Sequence, residues 1–150
     1  MNIEETIQLN ENSFEITIEK SNLNNKQKLI LKKVYYLIKG KLLNIMNLLK
    51  NEFDRSEITK SIFDMICIII KNVENIKINN KPLSGNDKKL IALELGRIFI
   101  NTEIINNNTE ISIIEIYNLI AESILENIID VSNEVNVVIE KGCKKLFSCF

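Results

Sequence analysis

Histidine and tryptophan are missing from this 150-residue chain, proline occurs once, alanine and arginine twice each, cysteine three times and glycine four times. Without histidine there is no side chain whose ordinary pKa lies near neutrality, no imidazole metal ligand and no Ser-His or Cys-His nucleophile pair. Cys67, Cys143 and Cys149 are an odd, sparse set. They build neither a disulfide framework nor a zinc site, and Cys67, inside an isoleucine-rich stretch, reads as a reduced, buried thiol. The glycines are dispersed, so no phosphate-cradling loop is present. Glu94, three residues before Arg97, is read as a surface neighbour pair on a helix. Catalytic residues, metal ligands, cofactors and a small-molecule substrate are therefore not expected, nor is an enzyme.

Long apolar runs are missing too. The longest, Met65 to Ile70, ends at Lys71, far short of the roughly 18 residues of a spanning helix. Met1 to Glu19 is acidic and lacks the apolar core of a signal peptide, which points to an intracellular setting. Asn107-Asn108-Thr109 matches a glycosylation sequon, but is read as part of an Asn-rich loop.

What the sequence has in quantity is isoleucine, asparagine and lysine. With 45% hydrophobic and 26% charged residues it is suited to one compact domain. The organising stretch runs from Asp54 to Ile100. Ile58, Ile62, Ile66, Ile69, Val73 and Ile76 recur at steps of three and four, the spacing of one helix face, behind a capping-box-like Asp54 and Glu57. The stripe breaks at Asn79 and Asn80, and Pro82 disfavours helix at Lys81. Ser84 and Asp87 then restart a helix carrying Leu90, Ile91, Leu95, Ile98 and Phe99, with Ala92 and Gly96 one turn apart for a close approach by another backbone.

Around that centre, residues 1–22 form an acidic arm, 23–140 a helical domain and 141–150 a basic tail. From Thr6 to Glu19, Phe14, Ile16 and Ile18 alternate with Glu15, Thr17 and Glu19. They predict either a short strand, with Ile7 and Leu9 as its hairpin partner, or a frayed acidic arm. Asn24 or Asn25 opens a long helix with Ile30, Val34, Leu37, Ile38, Leu42, Ile45 and Leu49 on one face, and Gly40 predicts a kink or a split within it. A later helix, capped by Asn108 or Thr109, carries Ile113, Tyr117, Ile120, Ile124, Ile128 and Val131. The expected fold is mostly α, a single bundle of four or five helices with room for a short N-terminal β-hairpin.

Charge is segregated along the chain. Ser21 to Asn51 holds seven lysines and no acid, and Asn101 to Glu140 holds eight acids and no Lys or Arg. The basic face, represented by Lys28, Lys32 and Lys39, is expected to meet the acidic helix within the fold or between subunits, so a protein partner or self-association is anticipated. Nucleic acid is disfavoured by the near absence of arginine and of an aromatic stacking array. The tail, with Cys143, Lys144, Lys145, Phe147, Cys149 and Phe150, either rests on a membrane surface, strengthened by palmitoylation, or tucks onto the core.

Leu83-Ser-Gly-Asn-Asp-Lys-Lys-Leu-Ile-Ala-Leu-Glu-Leu-Gly-Arg97, Ile128-Ile-Asp-Val-Ser132 and the terminal Lys-Gly-Cys-Lys-Lys-Leu-Phe-Ser-Cys-Phe150 resemble a group of small helical proteins of giant, AT-rich nucleocytoplasmic large DNA viruses. The resemblance spans roughly Val73 to Phe150 and implies a virion or factory component. Separately, Leu95-Gly96-Arg97-Ile98-Phe99 is similar to the BH1 core of Bcl-2 family proteins. That likeness implies a groove in which Gly96 admits a BH3 helix and Arg97 pairs with its acid, with Ala92 and Phe99 beside them, to inhibit host apoptosis. The Asn-Trp that precedes this core in the family is absent here, as is a spanning anchor.

Overall fold

The computed structural model describes residues 13–47, 55–104 and 113–134, with side chains as far as 46 in the first segment and 128 in the last. Five helices pack together in them: α1 over 13–19, α2 Asn25–Asn47, α3 Arg55–Glu74, α4 Gly85–Glu103 and α5 Ile113–Glu134. Between α3 and α4 runs a minimal antiparallel ribbon, β1 Lys77–Ile78 and β2 Lys81–Pro82, pairing Lys77 with Pro82 and Ile78 with Lys81.

The α3–ribbon–α4 hairpin is the middle of the molecule, and α3 packs against α2, α4 and α5. Its stripe is buried from Ile58 through Val73, joined by Met65, Cys67 and Ile70. Each large aliphatic side chain so placed contributes on the order of 1.5–3 kcal/mol of transfer free energy. Asn79 and Asn80 reverse the chain with φ of 52° and 64°, the left-handed pair that a two-residue hairpin requires and that asparagine tolerates best among side-chain-bearing residues. Ser84, in an extended conformation, caps α4 by accepting from the Asp87 N–H at 3.1 Å.

The start of α2 is a reciprocal capping box. The Asn24 N–H donates to Gln27 Oε1 at 2.9 Å and the Gln27 N–H to Asn24 Oδ1 at 2.8 Å. Gln27 is itself buried and donates from Nε2 to Asp87 Oδ1 at 2.8 Å, tying the first turns of α2 and α4 together. Further along this parallel pair, the hydroxyl of Tyr35, midway along α2, donates to Oε1 of Glu103, the last residue of α4, at 2.9 Å. The α4–α5 pair is antiparallel, with Leu93 and Gly96 against Tyr117 and Lys89 against Glu122 and Glu126.

Four expectations are corrected. Residues 13–19 are helical, not a strand: Phe14 and Ile18 are buried and stack on α2, the Phe14 and Tyr35 ring centroids lying 3.4 Å apart, whereas Ile16 is exposed. Over five residues, positions i and i+4 share a face at either period, so the alternation misled. The two-stranded sheet lies instead at 77–82, and Ile7 and Leu9 fall outside the described residues. Gly40 does not split α2, which runs unbroken through it. Leu37 and Leu90, assigned to core stripes, face solvent. The tail residues Cys143, Lys144, Lys145, Phe147, Cys149 and Phe150 also lie outside the described residues.

Candidate interaction surfaces

The helical wheel of α2 carries three different sectors. One is core: Ile30, Leu31, Val34, Ile38, Leu42 and Met46. The second faces α1 and holds the lysines singled out from the sequence. Lys32 pairs with Glu19 at 3.2 Å, Lys28 donates to the Glu19 carbonyl at 2.9 Å, and Lys39 reaches Glu103 at 3.8 Å while lying 5.7 Å over the Tyr35 ring. The basic face named by Lys28, Lys32 and Lys39 is thus engaged within the chain, by the end of α1 and the end of α4. Among the described residues α2 and α5 each pack on α3 and α4 and not closely on each other, so the anticipated pairing of α2 with α5 inside the fold is not seen there.

The third sector is open. Leu29, Tyr36 and Leu37 are 70%, 50% and 65% exposed on the outer side, with Gly40 on the same line. Lys26, Lys33 and Lys41 are interleaved with them, Lys33 standing one turn from both Leu29 and Leu37, and none is ion-paired among the described residues. Tyr36 is anchored at the border of this sector, its hydroxyl 3.4 Å from Glu15 Oε1 and its ring edge-on to Phe14. Comparison with family models, curated proteins and solved structures finds no match. The surfaces are therefore read from their own chemistry.

Across the molecule, α5 presents an outer sector of opposite sign. Leu119 is 71% exposed, with Glu115, Glu122 and Glu126 along the same exposed side. Lys89 of α4 pairs with Glu122 at 3.1 Å and Glu126 at 2.7 Å, yet both glutamates stay more than half exposed. These two acids raise the Lys89 pKa.

The residues proposed for a ligand-helix groove are placed differently. Gly96, Ala92 and Phe99 are buried, and a Cβ on Gly96 would lie 2.7 Å from the Tyr117 ring carbon bearing the hydroxyl. Tyr117 occupies the space that a ligand helix would need, donating to the Leu93 carbonyl at 2.7 Å, and burial pushes its phenol pKa up. Arg97 is exposed and bonded to Glu94, one turn earlier on α4. The close approach at Gly96 is satisfied by Tyr117 of the chain's own α5. No group of three or more His, Cys, Asp or Glu able to hold a metal is present among the described residues, and none of the described helices is long and apolar enough to cross a membrane.

The lysines of the outer sector escaped sequence reasoning, because all seven in the segment look alike until α1 is placed. A signal was available: Leu29 and Leu37 are eight apart and off the predicted apolar face by different amounts, so one stripe could not bury both with Ile30 and Ile38.

Proposed function

We propose that this chain is a non-enzymatic protein-interaction component of a large DNA virus, working inside the infected cell as part of a virion or assembly structure and binding through the outer sector of α2. The observation that carries the reading is Leu29, Tyr36 and Leu37 exposed within little more than two helical turns and interleaved with Lys26, Lys33 and Lys41. Single exposed leucines are ordinary, but three large apolar side chains interleaved with lysines on one exposed sector offer a partner both burial and charge. The lysines steer and orient an acidic partner, and the apolar side chains supply the burial. The viral assignment rests on the motifs at 83–97, 128–132 and 141–150.

A photo-crosslinking residue at position 33, with one at the exposed Glu57 of α3 as control, tests the reading in cells expressing the full chain. The expected result is a discrete cross-linked species from position 33 that disappears in the Leu29→Asp/Leu37→Asp background. Equal yields from both positions, or a yield indifferent to the two substitutions, would overturn it.

A further inference from the structure

The two outer sectors match each other. On α2 Leu29, Tyr36 and Leu37 are interleaved with Lys26, Lys33 and Lys41, and on α5 Leu119 stands beside Glu115, Glu122 and Glu126. At 1.5 Å per helical residue, the lysines span roughly 22 Å and the glutamates roughly 16 Å, comparable lengths for helix-on-helix packing. Because α2 and α5 each pack on α3 and α4 and not closely on each other, the described residues do not satisfy this complementarity within one chain. We propose that the occupant of the α2 outer sector is the α5 outer sector of a second copy of this chain, so that copies associate head to tail. This rests on the interaction reading above and names its partner.

Such a contact is heterologous: each copy offers one basic and one acidic face, and after pairing both ends remain open for another copy. The product is a ring if the rotation closes and a filament if it does not, not a two-fold dimer. Complementary charge sets register and encounter rate, so the association weakens steeply with salt. A single helix-on-helix contact lies at the small end of interface sizes, so individual links are weak and assembly depends on concentration. Lys89 sits beside Glu122 and Glu126 and moderates the acidic face without covering Leu119.

The experiment is sedimentation velocity on the full chain over a concentration series in low and high salt, with circular dichroism confirming each variant's fold. The wild type should form species larger than a dimer in low salt that dissociate in high salt. Lys26→Glu/Lys33→Glu/Lys41→Glu gives two acidic faces and Glu115→Lys/Glu122→Lys/Glu126→Lys two basic ones. Each alone should associate at least tenfold more weakly, and a one-to-one mixture should recover the assembly. As a check free of charge reversal at Lys89, Leu29→Asp/Leu37→Asp blocks one face and Leu119→Asp the other. Each variant alone should remain monomeric, because every link needs one intact face of each kind, and their mixture should give a heterodimer that grows no further.

A monomeric wild type at all concentrations would overturn the proposal, as would a two-fold dimer unaffected by Leu119→Asp or binding of the α2 sector to anionic phospholipid vesicles without self-association. If self-association is absent but the cross-link from position 33 to another protein persists, this inference fails and the interaction reading survives. Loss of both removes both.

Discussion

Gly40 and Gly96 both occupy the interior of a long helix, and their surroundings are opposite. Around Gly40 a Cβ would meet nothing within 4 Å, whereas at Gly96 it would run into the Tyr117 ring and hydroxyl. The same residue type thus marks an open face of α2 and a close seam of the bundle, between α4 and α5. A helix glycine costs about 1 kcal/mol relative to alanine wherever it sits. At Gly96 that cost is offset by letting a buried tyrosine lie across the backbone and bond to the Leu93 carbonyl. At Gly40 the described fold returns nothing for it, and the residue lies within the sector assigned here to a second copy.

The contrast can be broken most forcefully at Tyr117. Tyr117→Ala should destabilise the chain by about 3–5 kcal/mol, in the range of other large aromatic truncations, measured by chemical denaturation. Gly96→Ala should cost roughly 1–3 kcal/mol from overpacking. In the Tyr117→Ala background the same change should become neutral or favourable, since the obstructing ring is gone; a cycle with no coupling would show that the seam is not what makes Gly96 necessary. Gly40→Ala should move the other way, raising stability by about 1 kcal/mol in the monomer, and a loss of stability there would place an unseen neighbour against α2.

The smallest effect expected is pH-dependent and lies on α3. Asp64 has one oxygen shut from water without a hydrogen-bond partner, and burial raises its pKa above the ordinary 3.8, with Lys60 one turn away opposing the shift. A raised carboxyl pKa means that the charged form is disfavoured in the fold. Asp64's contribution is therefore most favourable below the unfolded value and is lost as pH rises through the folded one. Asp64→Asn should modestly stabilise the chain at neutral pH, the gain fading as pH falls toward 3.8; thermal melts of both proteins across that window check it.

Most helices of the bundle were legible in the sequence, and the reasons were local. The α3 stripe repeats at helical steps, Ser84 and Asp87 mark the next helix start, and Asn79-Asn80 before Pro82 form a turn in which a side-chain-bearing residue must accept positive φ. The N-terminal segment failed because five residues are too few to separate a period of 2 from one of 3.6. Of the proposed sites, the groove at Ala92, Gly96 and Phe99 was legible as a close approach but not as one already filled by Tyr117, which lies about twenty residues further on. Lys28, Lys32 and Lys39 were legible as a basic cluster, but nothing local marks Glu19 and Glu103 as their partners.

By itself the sequence determined that α2 to α5 are helices and where several begin, because periodicity, capping and turn chemistry act within about four residues. It also determined that imidazole chemistry is absent. Only the tertiary structure decided which sector of α2 is core, which is covered by α1 and which stays open, and that α2 and α5 each pack on α3 and α4 and not closely on each other. The physical reason is range: a helix with apolar residues on more than one side has several faces it could bury, and the choice among them is made by neighbours distant in sequence whose packing fills the available volume best.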